Sequence, residues 1–224
     1  MGPFEYITFD CYGTLIDWRT GIIEAVLGAA LEDGVKLDAG QVLALHHRLE
    51  PDIQRGAFRS YREVLEGVAR GIAREVGWPL KAGGEAYLPD SVPTWRPFED
   101  TNRALTALAD AGYRLGLLSN VDDDLLSRTL RQLAVEFDLL ITAQQVRSYK
   151  PAHDHFLRAR EQIGDAPWLH VAQSYFHDIE PATTLGIASV WVNRLGEAPG
   201  GEARPTAETA SLDGLLDVLN VIRS

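Results

Sequence analysis

From Thr101 onward the chain alternates apolar strand patterns with helical ones, and that alternation constrains the fold more than any other feature in it. A helix over 102–110 precedes a strand over 113–118, a helix over 122–133 precedes a strand over 137–142, and a helix opens at Pro151. Strands over 168–172 and 188–192 flank a helix near Pro181. Parallel neighbours must be joined by crossovers, and a helix is the usual one. The pattern therefore predicts an α/β fold, a doubly wound parallel sheet with helices on both faces. A largely apolar run over 4–9 is long enough for one more buried strand.

Between that opening strand and Thr101 the texture is different. Helical patterns run over 18–31, with Gly34 as the stop, and over 39–50, where Pro51 interrupts the second. The third has the cleanest period in the chain: Tyr61, Val64, Leu65, Val68, Ile72 and Val76 recur at three and four, ending near Gly77. No strand pattern occurs here, and a Pro- and Gly-rich passage returns the chain. Residues 17–93 read as a helical insertion, and 1–16 with 94–224 as the core it interrupts. Residues 196–207 read as a loop.

Composition closes off several function classes. The net charge is −11 and no basic block stands out, so neither nucleic acid nor an anionic membrane finds the cationic footprint it needs. A small anionic substrate is still allowed, since a few local cations and backbone N–H groups suffice. With one cysteine, Cys11, and no signal peptide or long apolar run, a cytoplasmic, reduced setting is expected. Nothing in the residues reads an oligomeric state, and a homodimer is compatible with them.

In a parallel sheet the loops after the strands share one edge, where ligands bind. Asp10 follows the first strand, Ser119 and Asn120 the second, Lys150 comes shortly after the third, and Gln173 to Asp178 follow the fourth. One acid, one hydroxyl, one amine and a second acid can make an active site. Asp122 and Pro151 mark helix starts, Asp122 as N-cap and Pro151 at the first position, and such termini favour an anion. Cys11 reads as buried and inert: the arginine that a phosphate-binding cysteine loop needs six residues on is Asp17, and strand alternation turns Cys11 away from Asp10 and Tyr12. His153 and His155 flank Asp154 as surface polarity rather than metal ligands.

Asp10-Cys11-Tyr12-Gly13-Thr14-Leu15, then Leu117-Leu118-Ser119-Asn120, then Tyr149-Lys150-Pro151, then Ser174 through Asp178 with Leu185-Gly186, resemble the four motifs of the haloacid dehalogenase (HAD) superfamily, in order and over nearly the whole chain. The resemblance implies a Rossmann-like core with a mobile helical cap. It implies Asp10 as nucleophile, Thr14 and Ser119 holding the transferred group, Lys150 neutralising and orienting Asp10, and Asp178 supporting the site from the last loop.

Departures from the motifs choose the branch. Superfamily phosphatases carry a second Asp two residues after the nucleophile, as the acid for the leaving alkoxide; here stands Tyr12, as in the 2-haloacid dehalogenases, whose halide leaves without a proton. Phosphatases also bind Mg²⁺ with acids of the fourth motif, where this chain has Gln173 but keeps Asp178. The dehalogenases usually have a tyrosine where Phe156 stands, and a serine and an asparagine at Gln173 and Tyr175. Their substrate-binding arginine lies in the cap, where Arg48 is the nearest candidate. The 9–18 and 173–178 stretches look more like a neighbouring group that includes azetidine-2-carboxylate hydrolases.

The expected reaction is displacement by Asp10 at the carbon next to a carboxylate, giving an ester that water cleaves. Tyr12, Thr14, Asn120, Arg48, Trp18, Gln173 and Ser174 are the expected substrate contacts, with Trp18 and Trp95 at the two junctions of the insertion. No cofactor is expected. A Mg²⁺-dependent phosphatase using Asp10 and Asp178 as ligands, or a degenerate member that binds a small acid or a partner, are the alternatives.

Overall fold

A computed structural model describes residues 3–222. Its core is a six-stranded sheet, β1 (Tyr6–Phe9), β2 (Arg114–Ser119), β3 (Leu139–Thr142), β4 (Trp168–Ala172), β5 (Ala188–Val192) and β6 (Ala207–Thr209), in the order β3-β2-β1-β4-β5-β6. All paired neighbours are parallel, so every strand leaves its loop on the same edge. The chain winds one way from β1 to β3 and the other way from β4 to β6, which opens a crevice between the loops after β1 and β4. Phe9 lies level with Leu117 of β2 and Val171 of β4, so Asp10 is the first residue past the sheet at its centre.

The insertion is built from α1 (Trp18–Glu32), α2 (Ala39–Gln54), α3 (Tyr61–Val76) and the short α4 (Tyr87–Ser91). Its best-made helix is α3. The Ser60 side chain accepts from the Glu63 N–H while the Glu63 carboxylate accepts from the Ser60 N–H, and Gly77 closes the other end in the left-handed region. Helix α2 runs through Pro51 to Gln54 rather than ending at Glu50. Pro51 lies on the exposed face, while Leu49 and Ile53 on either side pack against Gly71 and Gly67 of α3. Helix α1 meets Trp95 so closely that a methyl on Gly21 would sit 2.2 Å from its Cδ1; only a residue without a side chain lets the two approach.

The chain leaves and re-enters the core through a neck of two crossing segments. Asp17 N–H donates to the Arg96 carbonyl, Phe98 N–H to the Leu15 carbonyl, and Ile16 bridges Pro97. Beyond it come α5 (Thr101–Asp110), α6 (Asp123–Thr129), α7 (Ala143–Val146), α8 (Asp154–Ile163), α9 (Glu180–Thr184) and α10 (Leu215–Ile222).

Three expectations are corrected here. Helix α8 opens at Asp154, because Ala152 N–H turns back to the Tyr149 carbonyl and the first helical bond runs from Leu157 to His153. The expected loop over 196–207 ends in β6, an edge strand of three residues, too short to show a period. Asp122 precedes α6 but does not cap it; its carboxylate accepts instead from the Tyr61 and Arg62 N–H groups at 2.9 and 2.8 Å, at the start of α3 in the insertion. Among the described residues no helix is long and apolar enough to cross a membrane.

Candidate active site

Asp10 sits where β1 stops and the backbone turns. Gly13, at φ +106°, makes the turn, and the Thr14 hydroxyl comes back to donate to Asp10 Oδ2 at 2.9 Å. Thr14 Oγ1 is itself held by the Gln173 N–H at 2.9 Å, which ties the loop after β1 to the loop after β4. From below, Arg194 braces the same loop: its guanidinium forks onto both Asp100 oxygens at 2.9 Å, reaches the Thr14 carbonyl at 2.8 Å and lies over the Phe98 ring.

The other Asp10 oxygen takes Lys150. This lysine is buried, and its three protons have three acceptors: Asp10 Oδ1 at 2.9 Å, Asp178 Oδ1 at 2.6 Å and the Leu118 carbonyl at 2.7 Å. A buried ammonium is tolerable only under such pairing. Burial works against its charge, but Asp10 and Asp178 together outweigh burial and hold the ammonium above its ordinary pKa. Asp178 is pulled below the usual carboxylate range by Lys150 and the His170 contact, which together exceed the opposing effect of burial. Asp10 is pushed up, by burial and then by the Asp178 charge, against the pull of Lys150. It keeps 7% of its surface open, so the one carboxylate of the pair that is more costly to ionise is the one that reaches the crevice.

Behind Asp178 lies a second tier. His170 Nε2 is 3.1 Å from Asp178 Oδ1, its Nδ1 is 2.9 Å from Thr8 Oγ1, and the Trp168 indole N–H donates to that same hydroxyl at 2.7 Å. Sequence reasoning missed Thr8 and His170. The signal was there: each is a polar residue inside an otherwise apolar strand, and the parallel register sets them side by side.

The other expected residues scatter. Ser119 Oγ is buried beside the motif and has no hydrogen-bond partner. Asn120 is not free to seat a substrate: its amide N–H₂ donates to the Lys150 carbonyl and its carbonyl accepts from the Lys150 N–H, so it clamps the lysine's backbone. Ser174 is turned inward as well, accepting from the His177 N–H at 3.1 Å to cap the single helical turn 175–179. The Gln173 side chain and the Trp18 indole flank Gly13, and Trp18 packs tilted against His46 and edge-on against His47 of α2. Arg48 points elsewhere; it pairs with Glu75 of α3 at 3.2 Å and is half exposed, because α2 turns His46 and not Arg48 toward Trp18.

Tyr12 is bonded through its hydroxyl to Thr129 at 2.9 Å and packs edge-on to Trp95. Burial pushes the phenol well above its ordinary pKa, so it is a poor proton donor. Cys11 is buried and its thiol is pushed up by burial. His155 is a correction: it is buried, not surface polarity, its Nε2 lies 3.2 Å from the Ser119 carbonyl, and burial brings its pKa down to about 3, so it is neutral.

A magnesium site does not fit these donors. Mg²⁺ wants near-octahedral oxygen ligation; here the Lys150 ammonium bonds both Asp10 and Asp178, and Gln173 offers a neutral amide in place of an acid. Among the described residues no group of three or more His, Cys, Asp or Glu is placed to hold a metal ion.

The family model described as haloacid dehalogenase-like hydrolase matches residues 4–187. The chain is 27% identical to haloacetate dehalogenase H-2 of Moraxella sp. (strain B), covering 88% of this chain and 89% of that one. It is 32% identical to glyceraldehyde 3-phosphate phosphatase of Methanothermobacter thermautotrophicus, covering 84% of each. The L-2-haloacid dehalogenase of Xanthobacter autotrophicus superimposes with a TM-score of 0.80 over 99% of both chains at 20% identity, which establishes a shared fold.

Proposed function

We propose, from the premise that the chain belongs to the haloacid dehalogenase-like hydrolase family, that this hydrolase removes halide from small 2-haloacids through an ester on Asp10. One observation carries the reading over its phosphatase rival. The residue two positions past the nucleophile is a phenol locked onto Thr129, unable to supply the proton that an alkoxide needs and a halide does not.

In the first step an Asp10 oxygen attacks C2 in line with the carbon–halogen bond, and halide departs with the bonding pair. Lys150 and Thr14 hold the carboxylate in the attacking orientation. Ser119 Oγ, buried and unpartnered, is the donor available to the substrate carboxylate. In the second step water adds to the ester carbonyl at Cγ of Asp10 and one of its protons passes to the unpartnered Asp178 Oδ2. As the acyl C–O bond breaks, Asp178 hands that proton to the departing alkoxide, which leaves as the 2-hydroxy acid, and the water's other proton goes to solvent as the Asp10 carboxylate is restored. Displacement occurs once at C2, so the product is inverted. The helical insertion, anchored to the core by Asp122, serves as the cap that excludes bulk water from the ester.

The test offers 2-chloropropionate, azetidine-2-carboxylate and p-nitrophenyl phosphate side by side, with EDTA and with Mg²⁺. Expected are chelator-resistant halide release and its loss in Asp10→Asn. Ring opening in place of halide release would keep the displacement and change the leaving group. Magnesium-dependent phosphate release with no halide release refutes the reading.

A further inference from the structure

His170 touches neither Asp10 nor the crevice, yet it is buried with both ring nitrogens engaged, in a line that runs toward the catalytic pair. The direction of that line follows from donor chemistry. An indole N–H can only donate, so Thr8 Oγ1, 2.7 Å from Trp168 Nε1, is an acceptor there. The hydroxyl's own proton then has two places to go: the Leu169 carbonyl at 3.5 Å or His170 Nδ1 at 2.9 Å. Assigning the proton to the shorter contact makes Nδ1 the acceptor and places the ring's proton on Nε2, which then donates to Asp178 Oδ1 at 3.1 Å. Phe156, edge-on to the imidazole with centroids 5.0 Å apart, holds the ring's plane.

Asp178 Oδ1 thus receives two donors, Lys150 Nζ and His170 Nε2, whereas Oδ2 receives none. A carboxylate pinned by two bonds on one oxygen cannot rotate, and its other oxygen is kept for a proton. We propose that Trp168, Thr8 and His170 form a buried relay of positioning residues that sets the Asp178 carboxylate for ester hydrolysis, the second half of the reaction, and leaves the first half untouched. This rests on the two-step reading above. The first step moves no proton and draws on Lys150 and Thr14 at Asp10 and on Ser119 at the substrate carboxylate; the second needs Asp178 Oδ2 aimed at water.

Rapid-mixing single turnovers with 2-chloropropionate, with intact-protein mass followed in time, test the relay. Thr8→Val removes the hydroxyl at nearly constant shape, and Thr8→Ser keeps it. In Thr8→Val the halide burst is expected within about threefold of wild type, hydrolysis about 10- to 100-fold slower, and the ester mass to accumulate on the protein. Thr8→Ser restores wild-type hydrolysis. Equal slowing of both phases, an unaffected Thr8→Val, or a Thr8→Ser that behaves like Thr8→Val overturns the relay. Should Thr8→Val not fold, by far-UV circular dichroism, Trp168→Phe decides: ester accumulation supports the relay, and wild-type phases refute it. A wild-type protein that neither releases halide nor forms an adduct refutes the two-step reading itself, a result distinguishable from a working wild type with an indifferent relay.

Discussion

Lys150→Met probes the centre of the site most directly. Methionine approximates the lysine stem, so packing is largely kept while a buried ammonium with three acceptors at 2.6 to 2.9 Å is lost. Two buried carboxylates then share a region without a counter-charge. Removing one member of a buried pair costs roughly 3–5 kcal/mol. The loss depends on pH, and its sign follows from the carboxyls. In the wild type Asp178 is depressed, so its contribution is present above the unfolded value and disappears only as pH falls through the depressed one. Asp10 is raised, and it takes stability away as pH rises through its folded pKa. Without Lys150 the lowering cause is gone from both, and both behave in the second manner. The gap between wild type and variant must therefore widen from pH 5 to pH 8. Urea unfolding followed by tryptophan fluorescence measures it: a deficit of about 3–5 kcal/mol is expected at pH 8, shrinking by about 1 kcal/mol or more at pH 5. A deficit below about 1 kcal/mol at pH 8, or the same deficit at both pH values, refutes the reasoning.

Other perturbations separate neighbouring claims. Gly21→Ala drives a methyl to 2.2 Å from Trp95 and should lower stability by about 1–3 kcal/mol, seen as a lower midpoint in urea; an unchanged midpoint would mean α1 slides without cost. Tyr12→Phe deletes one hydrogen bond to Thr129 and no proton donor, so halide turnover should stay within about threefold, and a loss of about 100-fold would restore the phenol as an acid. Arg48→Ala should leave KM for 2-chloropropionate unchanged, because the guanidinium pairs with Glu75 at the surface; a KM rise above about tenfold would return it to the pocket.

The parts of the site legible from the residues were those with a local signature. A run such as residues 4–9 closing in Asp10 shows where a strand meets its loop, and the Gly13-Thr14 turn follows at once. Helix α3 announces both of its ends in its own residues, Ser60 with Glu63 and then Gly77. Illegible were the side chains whose partner lies on another segment. Asn120 has the residue type of a substrate contact and spends both ends of its amide on the Lys150 backbone. Asp122 has the sequence context of an N-cap for α6 and instead satisfies the first N–H groups of α3, 60 and 61 residues away.

By itself the sequence determined the alternation of strand and helix, the all-helical insertion, the carboxylate at the end of β1 and the phenol two residues on. Each of these is written in spacings of a few residues, which the backbone periods of 2 and 3.6 translate directly into structure. Tertiary structure alone decided what each polar group bonds to: Lys150 between two carboxylates, Arg48 turned to Glu75, and Thr8 set beside His170 by the register of β1 on β4. Burial is the physical reason. Once water is excluded a polar group must take whichever partner the packing brings within about 3 Å, and which partner that is depends on segments far apart in the chain.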